Sequence, residues 1–222
     1  MLLPGIEALV FDFDGLLMDT ESTLLECWRA EWRHHGLALD EAGFFADHGG
    51  DLTEARYAQL GAAAGPGYDR AASHARRTAH RDAMHAALGL APGPGAWLDR
   101  AEELGLPMAV ASSSPRSWVE QHLGRTGDLG RFKACAFGDE VAAHKPDPAV
   151  YRLALERLGI AAARAVAFED TPHGAAAARA AGLRCVAIPN AYADPARFTA
   201  AGLVLSTAAG VTLDDVLARL PR

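Results

Sequence analysis

Residues 10–21 read Val-Phe-Asp-Phe-Asp-Gly-Leu-Leu-Met-Asp-Thr-Glu, and the rest of the chain can be organised around them. The apolar run over residues 6–11 predicts a short buried strand that ends at Asp12 and Asp14. Gly15 supplies the backbone freedom for a turn that brings both carboxylates to one pocket. Exposed turn residues are the alternative interpretation, because Asp and Gly are common turn formers. The motif alone leaves both interpretations open.

The composition is that of a globular, mildly acidic protein. The chain has 222 residues, of which 50% are hydrophobic and 22% charged, so it can bury one core or a core with an accessory domain. A net charge of −7 gives no reason to expect nucleic acid as a partner. No segment reaches membrane-spanning length without charges, and the amino terminus lacks the basic region of a signal peptide. We expect a cytoplasmic monomer without nucleic-acid or membrane partners.

The chain divides into a helical insertion and an alternating α/β region. Residues 37–88 show helical patterns and no convincing strand, and the Pro/Gly-rich residues 90–95 predict a linker that returns to the main domain. We therefore expect one domain of residues 1–17 and 91–222, with a small helical domain of residues 18–90 inserted in it. Widely spaced cysteines predict neither a disulfide framework nor a zinc site. Three histidines of the insertion are predicted on a solvated helix face: His74, His80 and His85.

Strand and helix patterns alternate after the linker. Apolar runs at 108–111, 134–137, 165–168 and 184–188 predict strands, with helices between them and a further short strand at 203–205. This alternation predicts an α/β fold with a central parallel sheet covered by helices on both faces. Ligands of such sheets bind outside the carboxyl ends of the strands, where the polar motifs of this chain fall.

Two of these motifs suit an anion. Ser112 and Ser113 follow the second strand beside a helix amino terminus, where hydroxyl and backbone N–H groups make a phosphate cradle. Lys145 follows the third strand, and an ammonium group is a standard phosphate partner. Helix capping and a surface lysine are the alternative interpretations.

A third motif suits a metal. Glu169 and Asp170 follow the fourth strand and, beside Asp12 and Asp14, would concentrate negative charge unless a cation intervened. A site of carboxylate oxygens suits Mg²⁺. Together the motifs fit phosphoryl transfer, in which a carboxylate attacks phosphorus, cations neutralise charge and a second carboxyl group moves a proton.

The four motifs resemble those of the haloacid dehalogenase (HAD) superfamily, in its helical-cap branch with β-phosphoglucomutase and the sugar-phosphate phosphatases. The resemblance implies a Rossmann-like three-layer core and a helical cap domain. It implies that Asp12 forms an aspartyl-phosphate, that Asp14 is the general acid and base, and that Ser112 and Lys145 hold the phosphoryl group. The implied Mg²⁺ ligands are Asp12, the backbone carbonyl of Asp14, Asp170 and Glu169.

The cap departs from the mutase pattern. The corresponding loop lacks the expected lysine, and its Gly49 and Gly50 are candidate substrate residues. Arg116 is a candidate for binding a second anionic group of the substrate, with a solvated helix arginine as the alternative interpretation. We therefore expect a Mg²⁺-dependent phosphatase acting on a small phosphorylated metabolite, a sugar or polyol phosphate. A β-phosphoglucomutase-type phosphotransferase and an inactive binding module are the alternatives. A dehalogenase would lack Asp14, and a phosphonatase needs a cap lysine, whereas no lysine precedes Lys133.

Overall fold

The computed structural model describes residues 5–41, 44, 52–190 and 193–221. The chain forms two compact units, one of Met1–Asp19 and Gly89–Arg222 and the other of Thr20–Leu88. The larger unit contains a parallel sheet, and the regular structure described in the smaller one is helical. Within the described ranges, no helix combines the length and the apolar character that crossing a membrane requires.

Six parallel strands form the sheet of the larger unit in the order β3-β2-β1-β4-β5-β6. The strands are β1 Ala8–Phe11, β2 Met108–Ala111, β3 Ala134–Ala136, β4 Ala165–Glu169, β5 Arg184–Ala187 and β6 Leu203–Val204. Every residue of β1 is buried, as expected for a central strand covered on both faces. The strand order reverses between β1 and β4, and open α/β sheets bind ligands at such a switch point. The predicted Rossmann-like α/β class is confirmed.

Helices pack on this sheet between the strands. They are α4 Pro92–Glu103, α5 Arg116–Thr126, α6 Ala149–Leu158, α7 Pro172–Ala180 and α8 Leu213–Arg219. On one face the aromatic rings of Phe11 and Phe168 stack with their centroids 4.8 Å apart, and Trp97 of α4 packs 5.1 Å from Phe168. On the other, α6 and α7 present small residues such as Ala154 and Ala178. The small side chains allow these helices to lie close to the strands.

The predicted linker at residues 90–95 is wrong in part, because Pro92 already begins α4. Proline is tolerated in the first helical turn, where its missing N–H would have no intrahelical partner. Packing explains the glycine at position 93, since a Cβ there would lie 2.5 Å from the Ala208 backbone. Just before the helix, the Ala91 N–H donates to the Leu17 carbonyl at 2.8 Å. The chain therefore leaves the larger unit and returns to it at neighbouring points.

The smaller unit contains α1 Thr20–His34, α2 Thr53–Ala64 and α3 Arg70–Ala87. Its core is aromatic, with the Trp28 and Tyr57 rings 4.6 Å apart. Helix α3 begins at Arg70, because Asp69 caps it by accepting hydrogen bonds from two backbone N–H groups. Helix α2 continues through Gly61, whose missing side chain leaves room for the Tyr68 ring.

One of the three histidines corrects the sequence interpretation. His74 and His80 are exposed, whereas His85 is buried with 8% of its surface accessible. The Thr23 hydroxyl donates to the Thr20 carbonyl at 2.7 Å, so it accepts from His85 Nε2 at 2.8 Å. His85 thus ties α3 to α1 inside the smaller unit, and its predicted place on a solvated face is wrong.

Candidate active site

Asp12 lies immediately beyond β1 at the edge of the sheet. Its N–H donates to the Phe168 carbonyl at 3.0 Å, which continues the pairing of β1 with β4 by one residue. Gly15 then turns the chain with φ +79°, a left-handed conformation that favours glycine. The Gly15 N–H donates to the Met18 carbonyl at 2.8 Å and closes this turn. The backbone therefore fixes both aspartates at the carboxyl end of the central strand.

Lys145 reaches the same edge from the loop before α6. Its ammonium contacts the Asp12 carboxylate and donates to Glu169 Oε1 at 2.6 Å and to the Ala111 carbonyl at 2.9 Å. Three acceptors match the three protons that an ammonium carries. Burial acts to lower the pKa of Lys145, but Asp12 and Glu169 outweigh it and raise the pKa. Lys145 is therefore a charged group within the site.

Three buried carboxylates form an acidic cluster around this ammonium. Asp12, Glu169 and Asp170 each offer an oxygen within 4.8 Å of the others, and all three are buried. Burial, more than any other influence, raises the pKa of Asp12 to about 8; Lys145 opposes this shift and Glu169 adds to it. One ammonium cannot balance three carboxylates, so a divalent cation would stabilise their ionised forms. Their all-oxygen donor set fits Mg²⁺.

Glu169 is held by groups that the sequence did not indicate. The Tyr151 hydroxyl, fully buried, donates to Glu169 Oε1 at 2.6 Å, and Thr171 donates to Oε2 at 3.3 Å. A Cβ at Gly174 would overlap the Glu169 carboxylate, so this glycine leaves the space that the carboxylate fills. The orientation of Glu169 is therefore fixed from several sides.

Asp14 contacts the amino-terminal end of α5. Ser114 Oγ donates to Asp14 Oδ2 at 2.6 Å, and Trp118 Nε1 donates to Asp14 Oδ1 at 2.9 Å. The Ser-Pro start of this helix was visible in the sequence, but the role of Trp118 was not. In the pattern of an amphipathic helix, a tryptophan is ordinarily interpreted as a packing residue, so a polar contact of its N–H is not predicted.

The two serines of the motif differ in burial. Ser112 is buried, and its Oγ accepts a hydrogen bond from the Ser114 N–H at 3.0 Å. Ser113 is exposed, and a Cβ at Gly138 would overlap its carbonyl. Ser112 therefore shapes the loop between β2 and α5, and phosphate binding by either serine stays a prediction.

Of the candidate substrate residues, Arg116 is the one that the structure describes. The Arg116 guanidinium donates to Glu120 at 2.9 Å and to Glu140 at 2.5 Å, and it stacks on the Phe137 ring. Because neighbouring carboxylates engage this cation, its placement does not support binding of a second anionic group of the substrate. Gly49 and Gly50 lie outside the described residues.

The family of the chain can be assigned by comparison with known proteins. The sequence model of the family of haloacid dehalogenase-like hydrolases matches residues 9–188, which include the whole acidic cluster. The chain belongs to this family. The resemblance expected from the four motifs is confirmed, as is the prediction of an enzyme.

Individual relatives agree with this assignment. Protein CbbY of Rhodobacter capsulatus is 36% identical over 210 residues, which cover 88% of this chain and 91% of CbbY. Fructose-1-phosphate phosphatase YqaB of Escherichia coli is 32% identical over 185 residues, which cover 80% of this chain and 94% of YqaB. A crystal structure of a CbbY variant from Rhodobacter sphaeroides in complex with xylulose-(1,5)bisphosphate has 31% sequence identity and a TM-score of 0.71. The match covers 98% of this chain and 100% of that one. The similarity therefore extends over almost the full length of these proteins.

Proposed function

We propose that the protein is a Mg²⁺-dependent phosphatase that hydrolyses a sugar or polyol phosphate through an aspartyl-phosphate. One observation carries the proposal: Asp12 contacts an ammonium and clusters with two further buried carboxylates at the switch point of the sheet. The phosphatase activity and the sugar-phosphate ligand named for the relatives support the substrate class. We extend the proposal to a cytoplasmic monomer.

The first step forms the covalent intermediate. A carboxylate oxygen of Asp12 attacks phosphorus, and the bond between phosphorus and the sugar oxygen breaks. Asp14 gives its proton to the leaving oxygen, which departs as an alcohol. The Lys145 ammonium, already in contact with Asp12, stabilises the negative charge of the transferring group.

The second step returns the enzyme to its starting state. Asp14 accepts a proton from water as the water oxygen attacks phosphorus, and the bond between phosphorus and Asp12 breaks to release phosphate. Asp12, Glu169 and Asp170 would hold Mg²⁺, together with the Asp14 carbonyl. When bound, the ion supplies positive charge to the phosphoryl oxygens.

We further propose that the inserted helical domain, residues 18–90, is the cap that selects the substrate. The compact helical unit Thr20–Leu88 is the part of the chain available for this role, and the family resemblance supports it. The core domain would then comprise residues 1–17 and 91–222.

Phosphate release from a panel of sugar and polyol phosphates tests the proposal. The panel includes fructose 1-phosphate and xylulose 1,5-bisphosphate, each with Mg²⁺ and with a chelator. We expect release that requires Mg²⁺ and is concentrated on a few related substrates. Consumption of β-glucose 1-phosphate without phosphate release would establish the mutase instead, and absence of both activities would favour a binding module.

A further inference from the structure

The two oxygens of Asp14 are held by donors of different kinds. Oδ1 accepts from the indole N–H of Trp118 at 2.9 Å, and Oδ2 accepts from the hydroxyl of Ser114 at 2.6 Å. An indole N–H can only donate a hydrogen bond, whereas a hydroxyl can donate or accept. The Trp118 contact is therefore strongest while Oδ1 carries no proton, because a C–OH oxygen is the weaker acceptor, and the Ser114 contact is compatible with either state of Oδ2.

Trp118 is itself held in position from behind. The His122 imidazole stacks on the indole with the ring centroids 4.2 Å apart, and its Nδ1 lies 2.8 Å from the Trp118 carbonyl. Since a carbonyl only accepts, His122 Nδ1 carries the hydrogen of this bond. His122 is buried, and its ring centroid lies 6.0 Å from that of Phe13, the residue between the two aspartates. The indole is thus placed by packing as well as by its helix.

We propose that Trp118 is a positioning residue for the general acid and base, and that it keeps the transferable proton of Asp14 on Oδ2. This inference rests on the proposed phosphatase function. As the bond between phosphorus and the sugar oxygen breaks, its electron pair passes to the leaving oxygen, which takes the proton from Asp14 Oδ2. Throughout that step the indole N–H fixes the other oxygen and thereby the orientation of the carboxyl group. The Oδ2–H bond points to the leaving oxygen, and the Ser114 hydroxyl donates to a lone pair of Oδ2, as it does in the structure.

Leaving-group dependence separates this role from a structural one. A sugar alkoxide is a poor leaving group that needs the proton of Asp14, whereas p-nitrophenolate leaves with little protonation. We therefore compare kcat/KM for the best sugar phosphate and for p-nitrophenyl phosphate, because this constant reports the steps up to bond cleavage. In Trp118→Phe an aromatic ring remains and the N–H is lost, so the expected result is a fall of about 10-fold for the sugar phosphate, a part of the roughly 10²–10⁴-fold that general acid catalysis contributes. For p-nitrophenyl phosphate the expected change is smaller than about threefold.

Trp97→Phe is the matched control. Trp97 is another tryptophan of the larger unit; it is buried, and its N–H donates to the Val211 carbonyl at 2.8 Å, not to a carboxylate. We expect unchanged kcat/KM for both substrates in this variant. Thermal unfolding of each variant shows that the measured protein is folded.

Ser114 provides a second variant in case Trp118→Phe does not fold. Ser114→Ala is expected to reproduce the selective loss on the sugar phosphate, and Ser114→Thr, which keeps the hydroxyl, is expected to restore it. An equal loss on both substrates, or no loss in either Trp118→Phe or Ser114→Ala, would overturn the inference. Absence of phosphatase activity in the wild-type protein would instead overturn the proposed function, so the two failures are distinguishable.

Discussion

At the scale of single residues, Tyr151 is the least expected neighbour of the acidic cluster. Its hydroxyl donates to Glu169 Oε1, and its ring lies 5.0 Å from the Lys145 ammonium. Tyr151→Phe removes the hydroxyl and keeps the ring. We predict that Mg²⁺ binds about 10-fold more weakly, since groups that orient metal ligands typically contribute 10- to 100-fold to affinity. Calorimetric titration with Mg²⁺ and no substrate measures this, and an unchanged affinity would contradict it.

Tyr57→Phe is the control for this substitution. Tyr57 is a buried tyrosine of the smaller unit, whose hydroxyl accepts a hydrogen bond from Arg77 Nε at 2.6 Å. We expect its loss to affect the free energy of unfolding and to leave the Mg²⁺ affinity of the larger unit unchanged.

Asp12→Asn tests the nucleophile. An amide oxygen is a poor nucleophile, so we predict that phosphate release becomes undetectable while the protein stays folded and partly retains Mg²⁺ binding. Asp214→Asn serves as the comparison, because Asp214 lies outside the cluster in an ion pair with Arg100. Phosphate assays and thermal unfolding of both variants give the answer. Substantial turnover in Asp12→Asn would show that another group attacks phosphorus.

Residue types and their spacing were sufficient to predict the charged part of the site. Asp12, Lys145, Glu169 and Asp170 are brought together as expected, because the carboxyl ends of parallel strands meet at one edge. Trp118 escaped prediction because its indole N–H acquires a polar partner only after α5 packs beside the loop at Asp14. Where neighbours come from distant parts of the chain, periodicity cannot identify them.

At the scale of elements, the two glycines of the first turn of α4 differ in their surroundings. A Cβ at Gly93 would overlap Ala208, whereas at Gly95 it would make an ordinary contact of 3.6 Å with Leu90. We predict that Gly93→Ala lowers the free energy of unfolding by about 1–3 kcal/mol through overpacking. Gly95→Ala should raise it by up to about 1 kcal/mol, since alanine is the better helix former. Denaturant unfolding tests both; equal effects would refute the packing argument.

An ion pair between α1 and α3 makes the smaller unit sensitive to acid. Glu31 is 3% exposed and accepts from Arg76 at 2.7 Å. Burial acts to raise the pKa of Glu31, but hydrogen bonds, led by that of Arg76, outweigh it and lower the pKa. The stabilisation is therefore complete above the unfolded value of about 4.3 and is lost as the pH falls through the folded pKa.

Glu31→Gln tests this pair. At pH 7 we predict a loss of about 2 kcal/mol in the free energy of unfolding, typical of a buried hydrogen bond to a charged group. The difference from wild type should shrink as the pH falls below about 4. Glu54→Gln breaks an exposed pair with Arg70 and should cost less than about 1 kcal/mol. Denaturant unfolding between pH 3 and pH 7 measures both, and a pH-independent loss would contradict the assignment to charge.

At the scale of the whole molecule, metal binding should appear as stability. A ligand that binds only the folded state at a concentration of 100 times its Kd adds about 2.7 kcal/mol. For a protein of this size that corresponds to a rise of roughly 5–10 °C in Tm. We predict such a rise with Mg²⁺, reversed by a chelator, and a much smaller one in Asp170→Asn. Calorimetry at constant ionic strength checks it; an equal rise in both proteins would place the ion elsewhere.

The alternation of elements could be predicted from the sequence, but their arrangement in the sheet could not. Apolar runs and Gly or Pro punctuation located the strands to within a residue or two. The strand order follows from long-range packing, which local patterns do not encode. For the same reason residues 90–95 were assigned to a linker: Pro and Gly indicate a turn locally, whereas the close approach of Gly93 in α4 to the distant residue Ala208 is not encoded nearby.

The hydrogen bond from the Ala91 N–H to the Leu17 carbonyl makes the helical segment a replaceable module. The two points at which the sheet-bearing chain is interrupted are already joined in space. An inserted sequence therefore needs only ends that can meet, and the entropy of closing a loop grows slowly with its length. We expect an exchange of residues 20–88 for an insert of another size to leave the pairing of β1 with β2 and β4 unaltered. Under the proposed cap role, such an exchange would change the substrate range and keep the acidic cluster, whose three residues all belong to the larger unit.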